Sequence, residues 1–224
     1  KKNEMEQELI RILTDEAKGL GIFLSPAEQA QFSLFYDEFQ VWNAKMNLTA
    51  LEAGSSFIIK HFIDSLQALQ FIPQEAKTLL DLGTGGGFPG IPLKIARSDL
   101  SLTLLDSSRK KTSFLRQVIL RLGLSDARVI TGRVEEHVRQ GSGGGEFDVV
   151  ISRATFKMSQ ILEFGDHFVN REGLIIAMKG RDVTGELEEA QKVIRQRHLR
   201  LAERRETTLP RLGDSRTFFV YKKD

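Results

Sequence analysis

Five glycines fall within eight residues, directly after a short apolar run that ends at Leu82: Gly83, Gly85, Gly86, Gly87 and Gly90. Helical spacing resumes after Pro92, so the segment predicts a buried strand, a tight turn and the start of a helix. Glycine permits positive φ and lets backbone amides approach a ligand, while a helix N-terminus favours negative charge. The loop therefore predicts a nucleotide-like ligand rather than a simple surface turn.

Two nucleotide fingerprints fit this loop. The glycines at 85, 87 and 90 match the dinucleotide pattern G-x-G-x-x-G, and the same segment contains Asp81-x-Gly83-x-Gly85-x-Gly87, the turn of S-adenosylmethionine-dependent methyltransferases. The loop alone leaves both cofactors open, and we expect Gly83, Gly85 and Gly87 to lie at the cofactor in either case.

A carboxylate residue lies at or shortly after the end of each of the next two predicted strands. Asp106 follows Gly83 by 23 positions, close to the ~20 expected of an acid that binds ribose hydroxyls. A helix cap is the alternative role for Asp106, but Ser107 and Ser108 are better placed for capping. After the third strand, Glu135 could accept from an adenine amine and the backbone of Val134 could serve a ring nitrogen. A nicotinamide enzyme has no particular need of this third element, so the pattern favours S-adenosylmethionine over NAD.

The segment after the fourth predicted strand bears on the methyl acceptor. Residues 151–156 read Ile-Ser-Arg-Ala-Thr-Phe, which matches neither the Pro-Pro-aromatic motif of amine methylation nor the aspartate of ribose methylation. The chain has no cysteine, so a thiolate mechanism is excluded. The remaining acceptors have a lone pair and no proton to remove, such as guanine N7, and need alignment more than a base. We therefore expect no dedicated catalytic residue.

An alternation of strands and helices follows residue 78 and predicts a doubly wound α/β sheet. We expect residues 1–72 to form an N-terminal helical extension and residues 73–224 a methyltransferase domain, the two making one compact unit. Strands are expected at 79–82, 101–105, 128–131, 147–152, 173–179, 200–208 and 216–221. Helices are expected at 55–71, 91–97, 109–122, 156–169 and 183–198.

Composition limits the class of protein. The chain of 224 residues has a net charge of only +2, no apolar run near the ~20 residues of a membrane span, and no thiolate for a metal or disulfide. These features predict a cytoplasmic protein without a membrane or metal partner. Arg109, Arg116 and a run from Arg195 to Arg205 modestly favour RNA as a partner. An oxidoreductase and a non-catalytic RNA-binding domain stay open as alternatives.

His61 and Asp64 lie three positions apart in a predicted helix and can meet on one face. A hydrogen-bonded pair that locks the helix to the sheet is the favoured interpretation over a chemical role. His61 and Lys179 are further candidates for positioning RNA.

With these residues in view, the chain resembles the RsmG family, also called glucose-inhibited division protein B. The resemblance covers most of the chain and is carried by Trp42-Asn43, Asn47-Leu48-Thr49, His61-x-x-Asp64-Ser65-Leu66, the loop from Asp81 to Pro92 with its Gly-Phe-Pro-Gly-Ile-Pro, Leu105-Asp106-Ser107, Val134-Glu135-Glu136, Ser152-Arg153-Ala154 and Lys179-Gly180.

The resemblance implies a Rossmann-like, S-adenosylmethionine-dependent fold and methylation of N7 of one guanine in 16S ribosomal RNA, either free or in the small ribosomal subunit. It also implies the residues that line the cofactor site: Gly83, Phe88, Val134, Glu135 and Arg153, joined by Asp106.

Overall fold

The N-terminal third of the chain is helical. A computed structural model describes residues 2–46, 53–180 and 183–223. Helix α1 spans Lys2–Gly19 and α2 spans Pro26–Met46. A capping box starts α2: the Ser25 amide donates to Glu28 Oε2 at 2.6 Å, and the Glu28 amide donates to Ser25 Oγ at 3.3 Å. The family motif Asn47-Leu48-Thr49 lies outside the described residues.

The predicted helix at 55–71 is a continuous but irregular helical segment. It comprises a short α3 at Ser55–Phe57, a π-helical stretch at Ile58–Ile63, α4 at Asp64–Leu66 and a 3-10 turn at Gln67–Phe71. A π-helix carries its hydrogen bonds from residue i to i+5 and is frequent at functional sites. Its end is marked by the Asp64 amide, which donates to the carbonyl oxygen of Ile59.

Seven strands form one mixed sheet in the order β3-β2-β1-β4-β5-β7-β6. The first five pair in parallel and β7 is antiparallel to both neighbours. This arrangement confirms the predicted α/β class and all seven predicted strands. Their bounds are β1 Thr78–Leu82, β2 Ser101–Asp106, β3 Ala127–Thr131, β4 Phe147–Arg153, β5 Val169–Lys179, β6 Leu199–Thr208 and β7 Ser215–Lys223.

Helices cover both faces of the sheet, as the prediction of a doubly wound fold requires. They are α5 Gly90–Ala96, α6 Arg109–Leu122, α7 Val134–Arg139, α8 Met158–Phe168 and α9 Thr184–Gln196. The first two and the N-terminal helices share one apolar core against the sheet, and α7, α8 and α9 share the other. The six-residue α7 was not among the predicted helices, because it is too short to show a hydrophobic period.

An aromatic cluster joins the N-terminal helices to the glycine loop. Phe35 stacks on Phe62 at 5.6 Å and on Phe88 of the loop at 5.2 Å, and Phe39 contacts Phe88 at 5.6 Å. All four rings are almost fully buried. The apolar core therefore runs across residues 72 and 73, and the division into an extension and a domain at that point stays a prediction. No helix in the described part of the chain has the length and apolar character to cross a membrane.

Candidate functional site

A cavity of ≈ 270 Å³ opens at the carboxyl ends of the parallel strands, where α/β folds of this type bind ligands. Each of the loops after β1 to β4 contributes to its wall. The lining residues are Gly83, Leu105, Asp106, Ser107, Gly132, Arg133, Val134, Glu135, Thr155 and Phe156.

The glycines of the loop differ in how closely other atoms pack against them. A Cβ on Gly83 would lie 2.7 Å from Thr155 Cγ2, and one on Gly87 would lie 2.6 Å from Ile91 Cδ1. Gly85 has φ +58°, and a Cβ on it would lie no closer than 4.0 Å to its nearest neighbours, the Gly83 carbonyl oxygen and Lys111 Nζ. The loop thus packs tightly on both sides of one open position, which is where a ligand can approach the backbone.

Several loop amides donate hydrogen bonds within the protein rather than facing the cavity. The amides of Gly83 and Thr84 both donate to the carbonyl oxygen of Leu105, at 2.9 and 3.2 Å. The amide of Gly85 donates to Asp106 Oδ2 at 2.9 Å, and that of Gly90 donates to Asp81 Oδ2 at 2.8 Å. The glycines therefore shape the loop, and carboxylates present the acceptor groups of the site.

Asp106 fixes the loop and keeps acceptor capacity for a ligand. Besides the bond from Gly85 to Oδ2, its Oδ1 accepts from the Ser108 amide at 2.8 Å. An ionised carboxylate has about four acceptor positions, so each oxygen retains one. Two acceptors on neighbouring oxygens match the vicinal hydroxyls of a ribose. The cap of α6 is Ser108, whose side chain accepts from the Lys111 amide at 3.4 Å, as the sequence predicts.

Asp81 is a fully buried carboxyl group beneath the loop. Its Oδ2 accepts from the Thr84 hydroxyl at 2.7 Å and from Gly90, while Oδ1 has no hydrogen-bond partner among the described residues. Burial raises the pKa of Asp81 from 3.8 to about 6, against the lowering effect of these hydrogen bonds. A buried carboxylate with one unpartnered oxygen is a site that a cationic ligand group would stabilise.

The other wall of the cavity suits a flat aromatic ring. Val134 is buried, Phe156 is half-buried and Glu135 is exposed at the rim. The Thr155 hydroxyl donates to the carbonyl oxygen of Gly83 at 2.9 Å, which holds the loop after β4 against the glycine loop. A purine can lie between the apolar groups with its amine directed at the Glu135 carboxylate.

Lys179 holds Phe156, in the loop after β4, in place. Its buried Nζ donates to the carbonyl oxygen of Phe156 at 2.5 Å and pairs with Glu186 at 2.6 Å. Glu186 in turn accepts from the Met158 amide at 2.8 Å. These bonds give Lys179 a structural role at the cavity, and its predicted contact with RNA stays a prediction.

Arg153 turns away from the cavity toward the N-terminal helices. Its Nη1 donates to the Lys60 carbonyl oxygen and to Asp64 Oδ2, both at 2.9 Å, and its guanidinium lies 5.2 Å from the centre of the Phe88 ring. Asp64 is fully buried and also accepts from Arg216 Nε at 2.6 Å. Asp64 therefore ties the irregular helical segment to two strands of the sheet.

His61 lies in the same contact region. Its ring stacks on Phe88 at 4.7 Å, and its Nδ1 is 3.2 Å from Arg153 Nη2. Because arginine only donates, Nδ1 accepts and the ring proton is on Nε2. Burial, followed by the charges of Arg153, Lys60 and Arg216, lowers the pKa of His61 from 6.5 to about 3. His61 is thus neutral near pH 7. His61 and Asp64 both contact Arg153 of β4, so the helical segment is joined to the sheet through Arg153, and a direct hydrogen bond between His61 and Asp64 stays a prediction.

The structure brings some of the predicted cofactor residues together and separates others. Gly83, Asp106, Val134 and Glu135 line the cavity, with Gly85 and Gly87 in the loop beside it. The side chains of Phe88 and Arg153 lie on the side of the loop that contacts the N-terminal helices. Their contact with a cofactor stays a prediction.

Six residues that line the cavity were not among the predicted cofactor residues: Leu105, Ser107, Gly132, Arg133, Thr155 and Phe156. Their signal is their place at or directly after the end of a parallel strand, because the carboxyl ends of such strands meet at one edge. Among the described residues, no three His, Asp or Glu side chains form a group that could hold a metal ion.

Comparisons with known proteins agree with this geometry. The sequence model of a family described as GidB, rRNA small subunit methyltransferase G, matches residues 28–209. The Ribosomal RNA small subunit methyltransferase G of Syntrophus aciditrophicus is 41% identical over 214 residues, covering 95% of this chain and 89% of the relative. The protein of that name from Acetivibrio thermocellus is 37% identical over 221 residues, covering 99% and 91%.

Solved structures share the fold at low sequence identity. An O-methyltransferase from Bacillus cereus in complex with SAH has a TM-score of 0.61 at 19% identity, covering 84% of this chain and 90% of that chain. Cofactor-bound Rv0187 from MTB has a TM-score of 0.60 at 17% identity, covering 87% and 89%. The Rossmann-like methyltransferase fold predicted from the sequence is confirmed.

Proposed function

The chain belongs to the rRNA small subunit methyltransferase G family, as its sequence motifs predicted, and we propose that it transfers a methyl group from S-adenosylmethionine to N7 of one guanine in 16S ribosomal RNA. The observation that supports the proposal is the cavity, because its carboxylates can bind the ribose and the adenine amine of this donor and its apolar wall can contact the purine ring. When bound, the donor supplies an electrophilic methyl group on a sulfonium.

The residues of the cavity fit an adenosine. Asp106 offers two free acceptor positions to the ribose hydroxyls, Val134 and Phe156 offer apolar surface to the purine, and Glu135 offers an acceptor to its amine. Beneath the loop, the ionised Asp81 carboxylate favours a positive charge nearby. Asp106 suits the ribose of either cofactor, whereas the ionised Asp81 carboxylate favours a ligand with a positive charge, such as a sulfonium.

The acceptor chemistry asks little of the protein beyond alignment. Guanine N7 has an in-plane lone pair and no proton to lose, so holding it in line with the methyl group and the sulfur is sufficient for transfer. We accordingly propose that no side chain of the described site acts as a general acid or base. Gly85 is the least crowded glycine of the loop, with no atom closer than 4.0 Å to a Cβ, and we propose that the base reaches the donor at this position.

The substrate is ribosomal RNA, either free or within the small subunit, and we place the reaction in the cytoplasm, where both occur. The sequence alone left open an oxidoreductase and a non-catalytic RNA-binding domain. The match to a methyltransferase family argues against both. Methylation of another position of the same RNA is the remaining alternative, and the site of the transferred methyl group distinguishes it.

The test is methyl transfer with isotopically labelled donor to unmodified 16S RNA and to small ribosomal subunits lacking the modification. Reduction followed by amine-catalysed strand scission cleaves RNA at 7-methylguanine. We expect one scission site, formed by the native protein and reduced with Asp106→Ala when the donor is limiting, while Glu188→Gln, at an exposed position outside the cavity lining, retains it. Label on a ribose or an exocyclic amine would contradict the proposal, and so would label with no scission.

A further inference from the structure

Three consecutive cations begin helix α6 at the edge of the cavity. They are Arg109, Lys110 and Lys111, and the first turn of the helix contains no acidic residue. A helix N-terminus carries a partial positive charge, so acidic residues are favoured there and cations are unfavourable. Three cations at this position are therefore unfavourable for the stability of the helix, and a role in binding would explain them.

These cations also lack the carboxylate partners found on other parts of the surface. Arg97, Arg121 and Arg211 each lie between 2.6 and 3.1 Å from a carboxylate. In contrast, across residues 2–46, 53–180 and 183–223, no carboxylate oxygen stands within 4.0 Å of the three cations or of Arg133. Arg133 lines the cavity after β3.

The fold brings the start of α6 and Arg133 to the same edge of the sheet. Asp106, at the end of β2, pairs in register with Thr131 at the end of β3, and the Gly132 amide donates to the Asp106 carbonyl oxygen at 3.1 Å. Arg109 and Arg133 follow these paired ends within three residues. Lys111 reaches the glycine loop, where its Nζ is 4.0 Å from the Cβ position of Gly85. The group therefore extends from the purine wall to the open position at Gly85.

The arginine run predicted as a second basic region is different. Arg197 lies 3.4 Å from Asp166, Arg204 lies 2.7 Å from Glu206, and Arg205 is paired with Glu203. Carboxylates thus lie beside three of the five arginines of this run, whereas the start of α6 and Arg133 carry positive charge at the cavity without such partners among the residues described.

We propose that Arg109, Lys110, Lys111 and Arg133 form a phosphate-binding edge that holds the backbone of the substrate RNA while the target base enters at Gly85. The inference rests on the proposed function and adds the surface that binds the substrate. Phosphate contacts of this kind fix the register of a nucleic acid and carry no sequence information. Binding at this edge also brings anionic phosphates to the N-terminus of α6, which removes the electrostatic conflict within the helix.

The test compares two variants with equal changes of charge. The first combines Arg109→Gln, Lys110→Gln and Lys111→Gln. The control combines Arg171→Gln, Lys192→Gln and Arg195→Gln, which are exposed positions on β5 and α9, away from the cavity. Binding of unmodified 16S RNA is measured for both between 50 and 200 mM salt, alongside calorimetric titration with S-adenosylhomocysteine and thermal unfolding.

Each lost phosphate contact reduces the slope of log affinity against log salt by about 0.7 on single strands and about 0.9 on duplexes. Three lost contacts reduce it by about 2.1 to 2.7, so the fourfold rise in salt weakens RNA binding by the α6 variant ~18- to 42-fold less than binding by the native protein. We expect this change only in the α6 variant, with unchanged S-adenosylhomocysteine affinity and an unchanged or raised Tm.

An unchanged salt slope in the α6 variant, or an equal change in the control, would overturn the proposal. Loss of S-adenosylhomocysteine affinity with RNA binding intact would assign the cations to the cofactor and also overturn it. The proposed function fails separately, if the native protein binds RNA but forms no 7-methylguanine.

Discussion

The substitution Asp81→Asn tests the electrostatics beneath the glycine loop. Asparagine keeps an acceptor oxygen for the Thr84 hydroxyl and the Gly90 amide but is neutral at every pH. In the native protein, burial raises the pKa of Asp81 from 3.8 to about 6. The folded state therefore holds this proton more tightly than the unfolded chain, and the associated stability is complete below pH 3.8 and lost as pH rises through 6.

The magnitude follows from the size of the pKa change. A rise of about two pKa units corresponds to about 3 kcal/mol between fully protonated and fully ionised Asp81. At pH 4 the unfolded Asp81 is already more than half ionised, so the free energy of unfolding of the native protein, minus that of Asp81→Asn, should fall by about 2 kcal/mol of this total between pH 4 and pH 8. His61 titrates equally in both proteins, so its contribution cancels in the difference.

The assay is urea unfolding of both proteins without ligand at intervals of one pH unit. A difference in unfolding free energy that does not vary with pH would refute the reasoning, because it would mean that Asp81 has an ordinary pKa. A second measurement addresses the ligand: the ionised carboxylate favours the sulfonium donor, so Asp81→Asn should bind S-adenosylmethionine more weakly at pH 8. Equal affinity would show that the carboxylate does not act on the donor.

Three further substitutions test separate contacts. Gly90→Ala should lower the unfolding free energy by ~1–3 kcal/mol, measured in urea, because its Cβ would lie 2.5 Å from Leu104 Cδ2. Asp106→Ala should weaken S-adenosylhomocysteine binding by roughly 1–3 kcal/mol in a calorimetric titration, since it removes acceptors and frees the Gly85 amide. Lys179→Met should raise the KM for the donor more than it lowers kcat, because the bond that holds the Phe156 carbonyl is lost.

Each of these has a control and a contrary result. Gly185→Ala, where no atom lies within 4 Å of a Cβ, should leave stability unchanged or raised, and an equal loss at Gly185 and Gly90 would contradict the packing argument. Undiminished binding by Asp106→Ala would remove this carboxylate from the ribose site. A loss of kcat with KM unchanged in Lys179→Met would show that Lys179 does not act through the donor wall.

Much of the fold could be predicted because its strands are short apolar runs separated by turn residues. The runs ending at Leu82 and at Asp106 are buried along nearly their entire length, as parallel strands covered on both faces must be. The N-cap role of Ser108 could be predicted because Ser108 directly precedes the helix, whereas Asp106 falls at the strand end. The edge of the sheet at which the site lies can be predicted from these strand ends alone.

The remaining features depend on contacts between distant segments. Nothing in the order of residues 58–63 distinguishes a π-helix from an α-helix, and the aromatic cluster around Phe62 and Phe88 forms only after the sheet is assembled. The direction of Arg153 has the same origin, since Asp64 is 89 residues away along the chain. The internal use of the loop amides likewise depends on Leu105 and Asp106, which β2 brings beside the loop.

A crystal structure with S-adenosylmethionine bound tests the central claim most directly. The account predicts the ribose hydroxyls on Asp106, the purine between Val134 and Phe156 with its amine toward Glu135, and the methyl group directed to the open space at Gly85. Donor bound at any other place on the protein, or with its purine outside this cavity, would contradict it.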